Sequence, residues 1–231
     1  MRPELPHTFK SFPLERGAVT VGASSALTVG EKIELIVVLE DRQQTTITDL
    51  SIKLTADCWI GDSVTNTELS QVNFGTVRVS EGLRETVRQS IAVPQSTPFG
   101  CGPTVCTMNL SLSVDGSPDS REFHVNPLTT PSVVNIIDPL LKLDYAVSDS
   151  YAVVDRTDTD RPIAQSVRFA PTDDTPTAEP VDVFVRSVPD GLRVAPTVGR
   201  EPRTPVSELS DPVLVTGDAG SERLVDAVEQ L

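Results

Sequence analysis

Much of this chain alternates between apolar and polar residues with a period of two. Leu50, Ile52 and Leu54 are interleaved with Ser51, Lys53 and Thr55. Cys106, Met108, Leu110, Leu112 and Val114 are interleaved with Thr107, Asn109, Ser111 and Ser113. Val181, Val183 and Val185 alternate with Asp182, Phe184 and Arg186, and Leu192 and Val194 begin a further run. Ile163, Val167 and Phe169 line one face of another segment, in which Gln165 breaks the pattern. Strand side chains point to opposite faces in turn, so a slip of one residue would put each apolar set in water. Each pattern therefore sets a register. One apolar and one polar face per strand predicts antiparallel sheets packed face to face. Between the runs lie Val29-Gly30-Glu31, Asp115-Gly116-Ser117-Pro118 and Asp190-Gly191. In these turns Gly supplies positive φ and Asp bonds locally to the backbone. Strands at such short spacing predict β-sandwiches and not βαβ units.

Two segments have a different texture. In 132–143 (SVVNIIDPLLKL), Val133, Ile136, Ile137, Leu140 and Leu141 fall at helical spacing. Pro139 spoils a continuous helix there, although Asp138-Pro139 also suits a helix start. The segment is expected to be helical in part. It follows Pro127 and Pro131, which puts a domain junction at 127–131. The predicted organisation is an N-terminal extension over 1–14, one sandwich over 15–127, a second over 132–200, and an acidic flexible tail over 201–231. The tail opens with Pro, Thr, Ser, Asp and Gly, a linker composition. It closes with Ser221 as a helix cap and Leu224, Val228 and Leu231 on one helical face. Such a short helix either packs back on the second sandwich or frays, or else docks in a groove on a partner.

Charge narrows the partners. The chain has 231 residues, with 19 Lys+Arg against 33 Asp+Glu and a net charge of −14. Nucleic acid and anionic membrane surfaces are disfavoured, because both need clustered cations. The longest apolar run, Leu35–Leu39, is far below the ~18 residues of a membrane span, so no integral membrane association is expected. The start of the chain lacks the long apolar core of a secretory signal, which favours a cytoplasmic location. Only Lys10, Lys32, Lys53 and Lys142 are lysines, and Asp and Thr are abundant. This balance resembles proteins of salt-accumulating halophiles, whose self-repulsion molar salt screens.

Catalytic chemistry has little to build on. Cys58, Cys101 and Cys106 form no even framework, and Cys101 and Cys106 lack a second pair for zinc. Buried reduced thiols are expected. The histidines are His7, near the chain start, and His124, between Phe123 and Val125 in a predicted strand. No Gly-x-Ser-x-Gly elbow and no Gly-rich phosphate loop is present. Asp155, Asp158 and Asp160 are the densest carboxylate cluster, with Asp173-Asp174 and Asp115/Asp119 behind it. Their spacing is not that of an EF-hand, and solvated loops are the expected reading. Trp59, the one tryptophan, fits either a core position or a partner anchor, and the core is preferred. No catalytic, cofactor-binding or metal-binding residue is assigned.

Several fragments, taken in order, resemble a known family. Residues 17–41 (GAVTVGASSALTVGEKIELIVVLED) look like the first strands of an arrestin-type domain, with Val29-Gly30-Glu31 in place of Pro-Gly-Glu. ITDLSIKLTADCWI follows, then IAVPQSTPF (91–99) with its Pro-Phe, then VCTMNLSLSVDG and SPDSREFHVNP. In the second half, LLKLDYAV (140–147), PIAQSVRF (162–169) with Pro171, and VDVFVRSVPDGLRV resemble the sporulation-control family often written SpoOM. Asp144-Tyr145 departs from that family's usual Leu-Gly-Phe. The resemblance covers about 17–200. It implies an all-β fold of two tandem arrestin-like antiparallel β-sandwiches, with a short helical segment near the start of the second. It also implies a non-enzymatic adaptor or regulator that works through protein contacts, without implying a role in spore formation.

The expected function is therefore regulatory, through protein partners, with pairing of two copies through edge strands as one form of contact. The alternative is a ligand- or calcium-binding β-sandwich module. No cofactor is expected. The charge pattern makes its own prediction: stability against heat should climb with KCl up to molar concentration. A flat response would refute the halophile reading.

Overall fold

A computed structural model describes residues 8–13, 17–23, 28–60, 62–99, 106–125, 131–154, 163–172, 179–188, 191–198, 213–215 and 218–231. The chain divides into two compact units. Of the described residues, 8–55, 68–94 and 106–125 make up unit 1, and the rest make up unit 2.

Unit 1 contains an antiparallel sheet of β1 (Thr8–Pro13), β2 (Gly17–Ala23), β3 (Lys32–Asp41) and β6 (Arg84–Ala92), in that order. The N-terminal extension expected over 1–14 is thus a paired strand over 8–13. A second set of strands comprises β4 (Thr45–Ile60), β5 (Ser63–Val79), β7 (Cys106–Val114) and β8 (Ser117–Val125). β4 pairs with both β5 and β7, and β7 with β8. The period-two pattern becomes burial. Leu50, Ile52, Leu54, Ala56 and Cys58 are all fully buried along β4, as are Cys106, Met108 and Leu110 along β7. Upstream in β4 the phase changes, because Ile47 and Leu50 are both buried although three positions apart. Asp49 lies between them with φ 55. One left-handed residue absorbs the extra position, a conformation Asp adopts more readily than most residues.

Two turns follow their sequence signals closely. Asp115 and Gly116 join β7 to β8 with φ of 48 and 84, the paired positive values of a two-residue hairpin turn. Asp115 also anchors the start of β4. Its carboxylate accepts the Thr46 N–H at 3.1 Å, and its own N–H donates to the Thr46 carbonyl at 3.1 Å. Before β3, the Gly30 N–H donates to the Val93 carbonyl, and the Val93 N–H to the Glu31 carbonyl, both at 2.8 Å.

Unit 2 is built on an antiparallel run of β9 (Tyr145–Val154), β10 (Ile163–Pro171), β11 (Val181–Val188), β12 (Gly191–Val198) and β13 (Val213–Val215). The end of β4 adds a parallel contact, Trp59 opposite Val153. Val167, Phe169, Val183, Val185 and Val194 on one face meet Val133, Ile136 and Leu140 of α1 (Pro131–Lys142). Leu224 and Val228 of α2 (Asp218–Glu229) join the same core. Burying these two side chains contributes roughly 1.5–3 kcal/mol each. Leu231, expected on the same helical face, remains exposed.

Gln165, which interrupts the apolar pattern, has a specific task. Its Oε1 accepts the Phe99 N–H at 2.9 Å, and its Nε2 donates to the Phe99 carbonyl at 3.1 Å and to Ser150 Oγ at 2.7 Å. Ser187 Oγ donates to the Gln95 carbonyl at 2.7 Å. Segment 95–99 thereby belongs to unit 2, as do the adjoining ends of β4 and β5 at 56–60 and 63–67. The units are discontinuous in sequence, where the Pro-rich passage at 127–131 predicts a single cut.

The helices correct the expectation about Pro139. α1 runs unbroken through it. Proline lacks the N–H that would bond to the carbonyl four residues back, which here is that of Asn135. That carbonyl instead accepts Ser221 Oγ at 2.8 Å. Ser221, expected to cap its own helix, sits inside α2 and satisfies α1. The end of α1 is equally economical: Asp144 takes φ 61, the left-handed position where the resembled family usually has Gly. Its carbonyl accepts the Thr172 N–H at 2.7 Å.

If Ser221 replaces the bond that Pro139 cannot make, Ser221→Ala should cost about 1–2 kcal/mol. In a Pro139→Ala background, where the N–H returns, the same change should cost less, by at least ~0.5 kcal/mol. A denaturant double-mutant cycle measures this, and strict additivity would show that the two residues are not coupled.

Candidate functional site

Surface that a fold leaves open for a ligand or partner is found first, in β proteins, at the strand edges. Most edges here are guarded. β8 carries Pro118, Asp119, Arg121 and Glu122. β1 carries Lys10 and Pro13. β6 carries Arg84 and Arg88, paired with Glu40 and Glu34 across β3. β13 is three residues long. Charges, prolines and short length are the usual protections against unwanted pairing.

β5 differs. It is 17 residues long, pairs with β4 alone in the strand order, contains no proline, and has only Glu68 and Arg78 as charged residues. Glu68 is tied to Lys53 at 2.8 Å. From there to Gly75 the edge is uncharged: half-buried Leu69, Val72 and Phe74 face exposed Gln71 and Asn73. Gly75 ends the stretch with φ 74 and open space around it. Sequence reasoning passed over this strand, although the alternation of Gln71, Val72, Asn73 and Phe74 was there to be read.

In unit 2 the sheet face away from the helices carries a polar row. Register sets Asp149, Arg168, Asp182 and Thr197 side by side on β9, β10, β11 and β12. Arg168 Nε and Nη2 each donate to one carboxylate oxygen of Asp182 at 2.8 Å. The Asp182 side chain is 1% exposed and that of Arg168 33%. The Asp182 carboxylate pushes the Arg168 pKa above its already high usual value. Next in the row, the Tyr151 hydroxyl donates to Asp149. Trp59 meets Tyr151 edge to face, with centroids 6.1 Å apart. Trp59 is half-buried, less enclosed than the core position preferred for it. β10 shifts register against β9 at this point, and the extra residue, Ser148, donates its hydroxyl to the Arg168 carbonyl at 3.2 Å. Both oxygens of Asp182 are engaged, so the row holds strands together and leaves no free acid or base there.

Cys58 and Cys106 are both buried, and Cys58 is a free thiol. Desolvation pushes Cys58 from 9.0 up to about 11, helped by Asp57 and opposed by a bond with Thr67, so it is an unreactive thiol at neutral pH. Asp115 and Asp119 serve the β7–β8 hairpin, Asp119 by pairing with Arg121 at 2.5 Å. His7, Cys101, Asp155, Asp158, Asp160, Asp173, Asp174 and the side chain of His124 lie outside the described residues. Among the described residues, no three His, Cys, Asp or Glu side chains gather as a metal site, and no helix is long and apolar enough to cross a membrane.

No family model matches the sequence, and no curated protein does. Solved structures do. The chain is similar to the crystal structure of Spo0M, sporulation control protein, from Bacillus subtilis, with a TM-score of 0.79, covering 94% of this chain and 98% of that one. The fold is Spo0M-like. At 15% identity the likeness is one of fold, and it agrees with the resemblance carried by the sequence fragments. The all-β architecture with a helix before β9 is the one expected.

The Arg168–Asp182 pair predicts an asymmetry. Arg168→Ala strands a fully buried carboxylate and should cost about 3–5 kcal/mol. Asp182→Ala leaves an arginine that reaches water, and should cost clearly less. Equal losses in urea unfolding would mean that burial does not govern this pair.

Proposed function

We propose that this protein is a non-enzymatic regulatory adaptor of the cytoplasm, and that the uncharged edge of β5 between Glu68 and Gly75 receives an extended segment of a protein partner. The observation that carries the regulatory part is the fold likeness to a sporulation control protein over nearly the whole of both chains. Regulation is the part that transfers, and spore formation is not. The β5 edge supplies the contact. Strand addition takes its affinity from backbone hydrogen bonds and its specificity from the alternate side chains, and exposed Gln71 and Asn73, whose amides bond to each other at 2.8 Å, keep further donor and acceptor capacity to read a partner. The net charge of −14 favours a partner with a basic surface, which would speed encounter.

The test is affinity capture from the native cytoplasm at its own salt, with the full chain and with a Gln71→Lys/Asn73→Lys variant. Lysines on an edge discourage pairing without touching the core. A partner held by the parent chain should fall at least tenfold with the variant, which should unfold at nearly the parent temperature. Undiminished capture would remove β5 from the interface, and substrate turnover abolished by a point substitution would overturn the adaptor reading.

A further inference from the structure

The two charges of β5 are placed symmetrically. Glu68 lies five positions before Asn73, and Arg78 lies five positions after it. The residues between them mirror one another about Asn73. Leu69 matches Val77, Ser70 matches Thr76, Gln71 matches Gly75 and Val72 matches Phe74. Burial follows the same symmetry. Glu68, Gln71, Asn73, Gly75 and Arg78 are exposed, whereas Leu69, Val72, Phe74 and Val77 are half-buried or buried. Ser70, half-buried against an exposed Thr76, is the one mismatch. Arg78 forms no ion pair among the described residues, and Glu68 gives Lys53 only one of its two carboxylate oxygens.

We propose that β5 pairs antiparallel with the β5 of a second copy of this chain, with the twofold axis at Asn73. The inference rests on the reading of the β5 edge as open to strand addition, and it names an occupant for that edge. In a twofold interface every contact occurs twice. Here Glu68 faces the partner's Arg78, and Arg78 faces the partner's Glu68. Leu69 meets the partner's Val77, and Val72 meets the partner's Phe74. Opposite charges and apolar pairs directly across an antiparallel ladder are the pairs that stabilise it. Gly75, with φ 74 and nothing within 4 Å of where a side chain would begin, leaves room for the partner's Gln71. Gly75 and Thr76 are both exposed, as at a bulge, and the long Glu68 and Arg78 side chains span the bend it makes. Parallel in-register pairing would instead set Glu68 against Glu68 and Arg78 against Arg78. The pairing covers the edge that a different protein would use, so the dimer and the partner complex exclude each other.

The test is sedimentation of the full chain over a wide range of concentration. Moderate KCl screens the long-range repulsion between two chains at −14 more than it screens direct contacts. The parent should pass from monomer to dimer as concentration rises. Glu68→Arg and Arg78→Glu should each weaken the dimer about tenfold, since each turns two attractions into two repulsions. They change the net charge in opposite directions, so a general charge effect would separate them. The double variant Glu68→Arg/Arg78→Glu restores both pairs and should recover the parent affinity. Register is read by cross-linking. Asn73→Cys should oxidise to a covalent dimer, because directly opposed Cα atoms lie about 4.5–5.5 Å apart, within disulfide reach. Gln71→Cys should not, because the two copies of position 71 stand four residues apart along the ladder, roughly 13 Å. A parent that stays monomeric, single variants that dimerise like the parent, a double variant that does not recover, or equal cross-linking at 71 and 73 would each overturn the inference. A monomer whose captured partner is lost with Gln71→Lys/Asn73→Lys overturns self-pairing alone. A dimer with the predicted pattern and no captured partner overturns the partner reading alone.

Discussion

The amide of Gln165 holds the rest of unit 2 in place. A chain segment that crosses a sheet without joining it has backbone groups to satisfy, and buried ones left unpaired cost about 1–3 kcal/mol each. Gln165 offers one acceptor and two donors from a single rigid plane. With these it bonds both backbone groups of Phe99 and reaches Ser150. Phe99 can then place its ring among Val133, Ile136 and Leu140 as part of the core. An apolar residue at 165 would continue the strand pattern and leave Phe99 without partners. The break in the alternation is thus the feature that recruits 95–99 into a unit whose antiparallel run of strands begins at Tyr145.

The same accounting explains the two helices. A proline inside a helix normally kinks or ends it because a carbonyl is orphaned. Here the orphan is filled from α2, so the defect in one helix becomes the docking point of the other. Side-chain donors from distant parts of the chain complete backbone hydrogen bonding where local structure cannot. This ties the C-terminal helix to the core by a polar contact as well as by Leu224 and Val228. A two-residue apolar face alone would be a weak anchor for a helix of twelve residues.

How much of this was legible depends on distance along the chain. The strands over 106–114 and 181–185 were readable because their partners impose a local period of two, and the Asp115-Gly116 turn because its geometry restricts residue type. The fate of Pro139 was not, since it is decided by Ser221, 82 positions away. Asp49 resets the phase of β4 with a single residue, which a pattern search takes for noise. β5 was missed for a related reason. An edge strand that is polar on one side and only half-buried on the other shows a weak alternation, and weakness of pattern is what an open edge looks like in sequence.

Contrast between rows of one sheet gives charge a meaning that composition cannot. At −14, every cation in this chain has acids to choose from, and the folded state places Arg84, Arg88, Arg121 and Arg168 beside carboxylates. Most of these pairs are exposed, where an ion pair is worth at most about 1 kcal/mol. Their arrangement is therefore not required by stability. Arg168–Asp182 is the exception, because burial makes the carboxylate depend on its partner.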